Sequence, residues 1–267
     1  MFYIDLHMHS TVSFDGQNTR AEMADAARRA GLAAICFTDH YDIINEKSEL
    51  VSSYDWTPAR AQQAQALERC GGALEIGYGL ELGNAPADFA AAERALAEPL
   101  DFVIGSIHNS SRATGGVDYY FVRYDSPELC YRHLDDYFDS LEALVRWGDF
   151  DTLGHLPYPL RYMRARDGQP VSLARYEERI RALLTTLARE GKALEVNTDK
   201  SRSISPDYRW LLGIFREVGG EFVTAGADAH RTAQVGQGIA EAYELIASCG
   251  FRYICRFRGR RPAPVKL

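Results

Sequence analysis

Six of the seven histidines in this 267-residue chain, together with three acidic residues, fall where an apolar, strand-like run gives way to a polar loop. They are His7-Met8-His9, Asp15, Thr38-Asp39-His40, Glu81, His108, His155 and Asp228-Ala229-His230. Histidines kept for packing have no reason to collect at strand ends, whereas imidazole and carboxylate are the usual ligands of borderline and hard divalent metals. The spacing of His7-x-His9 puts both side chains on one face of a strand. Together these residues point to a multinuclear metal site. His133, in the helix-like LCYRHLDDYF, has no strand-end position and is read as structural.

The elements that would carry these residues alternate between strand and helix. Phe2 to His7 reads as a strand, followed by Thr19-Arg20-Ala21-Glu22, a capping box for a helix stopping at Gly31. Ala33 to Thr38 is a strand, and Thr57-Pro58 and Gly71-Gly72 bracket a helix. Leu74 to Leu82 and Asp101 to Ile107 are further strands, and Ser126-Pro127 starts a long helix ending near Gly148. Asp151 to Gly154, a Ser172-capped helix to Gly191, the strand Ala193 to Val196 and a helix start at Ser205-Pro206 continue the rhythm. Glu221 to Ala225 and Phe251 to Arg256, with a helix between, close it. Alternation of this kind implies a parallel sheet, and seven or eight units imply a closed α/β barrel of one domain spanning residues 1–267. Each ligand candidate would then sit at the C-terminal ends of the strands, the face where such barrels build active sites.

Composition fits a globular enzyme, with 46% hydrophobic and 25% charged residues. A net charge of −7 argues against a broad nucleic-acid-binding face. The basic terminal run of Arg256, Arg258, Arg260, Arg261 and Lys266 reads as a solvated edge. Five cysteines without a CxxC pair argue against a disulfide framework and fit reduced thiols in the cytoplasm. The N-terminus lacks a signal-peptide pattern, and no run approaches membrane-spanning length.

The ordered series His7-Met8-His9-Ser10, Asp15-Gly16, Thr38-Asp39-His40, Gly79-Leu80-Glu81, Gly105-Ser106-Ile107-His108, Gly154-His155-Leu156, Glu195-Val196-Asn197-Thr198 and Asp228-Ala229-His230 resembles the motifs of the polymerase and histidinol phosphatase (PHP) superfamily. The resemblance runs from residue 2 to the C-terminus. It is nearest to the stand-alone histidinol-phosphate phosphatase branch, which Tyr158-Pro159-Leu160-Arg161-Tyr162 and Gly259-Arg260-Arg261-Pro262 also resemble. It implies a distorted, TIM-like (β/α)7 barrel holding three divalent metals. By this resemblance one ion takes His7, His9, Glu81 and Asp228, a second takes Glu81, His108 and His155, and a third takes Asp15, His40 and His230. Glu81 would bridge two ions, since a carboxylate has two oxygens to share. Glu81, Asp228 and His230 would stand at the catalytic centre. The histidine-rich set favours zinc, with manganese or iron as alternatives.

The activity so implied is hydrolysis of a small-molecule phosphate ester, L-histidinol phosphate, in histidine biosynthesis, by in-line attack of a metal-bound hydroxide. Three divalent ions would bring six positive charges against three from Asp15, Glu81 and Asp228, so a phosphate dianion would enter a locally positive pocket of an acidic protein. Arg161 is the candidate phosphate clamp, because guanidinium offers a planar donor fork. Asn197 and Arg202 are candidate substrate contacts, and Asp39, beside His40, is a candidate acceptor to orient a ligand imidazole. Asp42, Glu46, Asp118 and Tyr119 could meet the ammonium and imidazole of the substrate. The chain departs from the branch at Asn197-Thr198-Asp199-Lys200, where Asn-Thr-Ser-Gly is common. Two other readings carry different expectations: a PHP phosphoesterase acting on nucleotides or nucleic-acid ends, and a non-catalytic metal-binding module. The acidic balance counts against the first, and the filled set of nine ligand positions against the second. No membrane or nucleic-acid partner is expected, and the oligomeric state is left open.

Overall fold

Ile4–Met8 (β1) is buried along its whole length, as a strand must be when helices cover one side and a barrel interior the other. The structure, a computed structural model, describes residues 2–199 and 204–267. The Thr19 side chain accepts from the Glu22 amide, and the Glu22 carboxylate accepts from the Thr19 amide. The expected capping box therefore opens Arg20–Arg29 (α1). Ala34–Phe37 (β2) follows, breaks at Thr38-Asp39, and resumes as the short His40–Asp42 (β3). Thr57–Cys70 (α2) leads to Glu75–Gly83 (β4), against which both β2 and β3 pair, with His40 opposite Glu81.

Phe89–Ala95 (α3) and Phe102–Ser106 (β5) come next, then Pro127–Trp147 (α4), whose first turn is capped by Ser126. Thr152–Leu153 (β6) is followed by the turn Tyr158–Leu160 (α5), which widens into a π turn over Arg161–Arg166. Glu177–Arg189 (α6), Ala193–Asn197 (β7), Asp207–Glu217 (α7), Val223–Gly226 (β8) and Ile239–Ser248 (α8) complete the alternation. The strands run β1-β2-β4-β5-β6-β7-β8, all parallel. The Asp228 amide donates to the His7 carbonyl and the His9 amide to the Ala229 carbonyl, both at 2.8 Å. The barrel thus closes through the two segments that carry four of the expected metal ligands, His7, His9, Asp228 and His230.

Three expectations are corrected. Ser172 caps only a 3-10 turn, Leu173–Tyr176, which leads into α6. The strand expected over Phe251 to Arg256 is not a barrel stave: Tyr253–Arg258 (β9) pairs antiparallel with Arg261–Lys266 (β10) in a separate hairpin. The basic run in this hairpin is more than a solvated edge. Arg256 and Arg258 pair with Glu75, and Arg260 pairs with Asp149 and Asp151. Those carboxylates stand at the N-terminal ends of β4 and β6, so the hairpin is fastened to the end of the barrel opposite the strand tips. Among the described residues no helix is long and apolar enough to cross a membrane.

Candidate metal centre

All nine expected ligands meet at the C-terminal mouth of the barrel, seven of them buried outright and His40 and Asp15 partly exposed. β1 delivers His7 and, just past its end, His9. β3 delivers His40, β4 delivers Glu81, and the turns after β5, β6 and β8 deliver His108, His155, Asp228 and His230. Asp228 holds a left-handed backbone (φ 55°), a conformation that costs a non-glycine residue energy and is kept where function overrides it. Asp15 lies 2.7 Å from His230 Nε2 and 3.9 Å from His40 Nε2.

Four imidazoles are held from behind through Nδ1. His7 donates to Glu195 Oε1 at 2.6 Å, His108 to Asp42 Oδ1 at 2.7 Å, and His230 to the Asp228 carbonyl at 2.8 Å. His9 donates to Ser13 Oγ at 3.2 Å, while that hydroxyl donates to Asp39 and accepts from the His40 amide. Each of these contacts leaves Nε2 as the lone-pair nitrogen, turned into the cluster, which is the tautomer a metal ligand needs.

Glu81 stands at the centre. Its Oε2 lies 3.0 Å from His7 Nε2, 3.4 Å from His9 Nε2 and 3.1 Å from His40 Nδ1. Its Oε1 lies 3.2 Å from His108 Nε2 and 2.8 Å from His155 Nε2, and accepts from Ser106 Oγ. His40 is therefore shared between Glu81 and Asp15. Asp228 Oδ1 lies 3.4 Å from His9 Nε2 and 3.8 Å from His7 Nε2.

Divalent cations fit this donor set. Among the described residues the buried atoms His7 Nε2, His9 Nε2, His40 Nδ1, Asp15 Oδ1 and Glu81 Oε2 make no hydrogen bond, although several approach within 3–3.5 Å of one another. Buried polar atoms are rarely left so, and converging lone pairs at this spacing are what a cation satisfies. The His7–His9–Asp228 and His7–Glu81–His155 groups each bring their donor atoms within 4.8 Å of one another, as do His40–Glu81–His108 and His9–His40–His230. Burial would lower His7 and His108, but Glu81, with Glu195 beside the first and Asp42 beside the second, raises both well above the usual imidazole range, so a cation at Nε2 would displace a proton there. Burial would raise Glu81, but His7, His108 and His40 hold its carboxyl well below the usual range. Burial, with His40 and His230 as neighbours, pushes His9 down to about 3, so it stays a neutral donor.

Above the cluster lies a cavity of about 490 Å³, lined by Glu81, His155, Arg161, Asp118 and Tyr158 and rimmed by the exposed Phe14, Tyr120 and Phe121. A second cavity of about 330 Å³ adjoins it across Arg161 and Tyr158. Arg161 Nη2 donates to Asn197 Oδ1 at 2.6 Å, and Nη1 lies 3.1 Å from Asp199 and 3.3 Å from Asp228. Both Arg161 and Asn197 thus reach the site. Arg202 lies outside the described residues.

Other expectations change. Asp39 touches no ligand imidazole directly and reaches His9 only through the Ser13 hydroxyl: its oxygens accept from Ser10, Ser13 and the fully buried Arg20. Asp42 is engaged by His108 through one oxygen and lines the main cavity, whereas Tyr119 is buried against Tyr137 and His133 and is not available to substrate. Glu46 pairs with Lys47 and lines neither cavity. Asp118 does line the main cavity. His133 contacts Tyr119 and Tyr124 edge-on, away from the cluster. Sequence reasoning missed Glu195 as a partner of His7. Its place midway along β7, on the same face as Asn197 two residues on, was the available signal for a side chain facing the site, though not for its partner.

The PHP domain matches residues 5–199 of the chain. The histidinol-phosphatase of Lactococcus lactis is 27% identical over 97% of this chain and 95% of its own length. A relative from Deinococcus radiodurans named "Probable histidinol-phosphatase" is 30% identical over 97% of this chain and 98% of its own. A crystal structure of histidinol phosphate phosphatase from Lactococcus lactis, complexed with zinc, L-histidinol and phosphate, superposes with a TM-score of 0.81 at 25% identity, covering 98% of each chain. The protein belongs to the PHP domain family.

Proposed function

We propose that the protein is a metal-dependent phosphomonoesterase that hydrolyses L-histidinol phosphate to L-histidinol and phosphate. The observation that carries this reading is Glu81, whose two oxygens face two separate sets of histidines at the floor of a cavity walled by an arginine. The nearly full-length likeness to a structure holding zinc, L-histidinol and phosphate supports it.

His7, His9, Glu81 and Asp228 would hold one ion, Glu81, His108 and His155 a second, and Asp15, His40 and His230 a third, with zinc favoured by the imidazoles. When bound, such ions supply Lewis acidity toward the phosphoryl oxygens and bring the pKa of nearby water towards about 7. The chain itself does the rest. Asn197, Asp199 and Asp228 brace the Arg161 fork, which offers N–H groups to a phosphoryl oxygen. Asp118 takes its hydrogen bonds from two neutral groups, the Tyr120 amide at 2.7 Å and the Tyr158 hydroxyl at 3.5 Å, and burial pushes its carboxyl up. A substrate ammonium beside it would offset that desolvation. Tyr158, Tyr162 and the exposed rim of Phe14, Tyr120 and Phe121 give the imidazole ring aromatic faces.

A panel of phosphomonoesters assayed on the metal-loaded protein tests the assignment. Histidinol phosphate should exceed p-nitrophenyl phosphate in kcat/KM by at least about tenfold, the effect of roughly 1.4 kcal/mol of selective transition-state binding. A nucleotide monophosphate or a DNA 3′-phosphate turned over faster would overturn the substrate while leaving the reaction class intact.

A further inference from the structure

We propose that Glu195 and Asp42 are positioning residues, each tying together ligands of two neighbouring ions and so fixing the spacing of the cluster. The inference rests on the ligand sets given above.

Glu195 lies midway along β7 and is buried. Its Oε1 accepts from His7 Nδ1 at 2.6 Å, and its Oε2 accepts from the His155 amide at 2.7 Å. His7 belongs to the first set and His155 to the second, so one carboxylate sets the distance between them. Asp42 stands between two ligands on the other side, hydrogen-bonded to one and within ion-pair distance of the second. Its Oδ1 accepts from His108 Nδ1 at 2.7 Å, and its Oδ2 lies 3.6 Å from His40 Nδ1, which joins the second set to the third. His40 and Asp42 are two apart on β3, so both face the site. This short strand, separate from β2, is what brings them there.

The backbone is shaped around both carboxylates. A Cβ at Gly226 would lie 2.2 Å from His7 Cβ and 2.8 Å from Glu195 Oε1. A Cβ at Gly83 would lie 1.6 Å from Asp42 Oδ1 and 3.0 Å from His108 Nδ1. In each strand the space a side chain would fill is given to the outer carboxylate and its histidine. Carboxylates behind ligand imidazoles orient the ring and strengthen it as a donor, and their loss typically costs about 10–100-fold in metal affinity.

The test is zinc uptake by the full chain dialysed against buffered zinc, with metal counted and the metal-free fold followed by thermal melting. The wild type should fill in up to three steps. Glu195→Gln keeps one acceptor but turns an amide NH2 toward a second donor. Two of its three steps should need about 10–100-fold more free zinc, with the Asp15–His40–His230 step unchanged. Asp42→Asn should also shift two steps and spare the His7–His9–Asp228 set, and the double variant should shift all three. Gly226→Ala, which displaces the His7–Glu195 pair without altering its chemistry, should reproduce Glu195→Gln and serves if that variant does not fold. Wild-type filling curves in folded variants would overturn the inference, as would equal weakening of every step in a single variant. Fewer than two ions in the wild type would instead overturn the ligand sets.

Discussion

Arg161 reaches the cavity from a helical turn rather than a strand tip, and three acceptors hold it there. If its fork binds phosphoryl oxygen in both the ground and transition states, Arg161→Ala should raise KM and lower kcat/KM by roughly 1.5–3 kcal/mol, about 10- to 150-fold. Arg161→Lys should recover only part, since a point charge lacks the fork. Steady-state kinetics equal to wild type in both variants would leave Arg161 as a brace for Asn197 and Asp228. Asp118→Asn tests selectivity instead. It should cut the preference for histidinol phosphate over p-nitrophenyl phosphate by about tenfold while sparing the aryl ester, and equal losses on both would remove Asp118 from ammonium recognition. The ligands were legible in the chain because histidine and carboxylate at a strand end have few other uses. Their partners were not. Nothing in sequence says that Glu195 opposes His7, or that Asp39 faces Arg20 instead of His40, because those pairings arise between strands distant in the chain.

At the scale of elements, capping and turn chemistry located α1, α2 and α4 closely, since Thr19, Pro58 and Ser126 act on their own first turns. The C-terminal strand was misplaced for a physical reason. Tyr253–Arg258 has the composition of a strand wherever it pairs, and Pro262 and Pro264 disguise its partner. β10 tolerates them because it pairs along one side only, as an edge strand of a two-stranded sheet. The signal lay in the two-residue turn Gly259-Arg260, where both residues have positive φ (50° and 64°), the geometry of a tight hairpin. Arg260 donates to Asp151, a nearly buried carboxylate that also accepts from the Val103 amide. Arg260→Ala should therefore cost about 1–3 kcal/mol of stability by denaturant titration, with zinc stoichiometry unchanged. A stability change within 0.5 kcal/mol, or a loss of metal, would contradict the role of the hairpin as a fastening at the far end of the barrel.

For the whole molecule, the alternation of strands and helices announced the barrel, but the break between β2 and β3 and the closure through His7, Asp228 and Ala229 could not be read from it. The segments that close the barrel also carry four of the nine ligands, so metal and fold stability are coupled: a ligand at a thousand times its Kd adds about 4 kcal/mol. Chelation should lower the melting temperature, and zinc should restore it. An unchanged melting temperature would show that the fold closes independently of metal. The most direct test is Glu81→Ala, with metal content and kcat/KM for histidinol phosphate measured on the same sample. Loss of at least one ion per chain together with a fall in kcat/KM of more than about 100-fold is the predicted result, and full metal content with wild-type turnover would contradict the bridging role of Glu81.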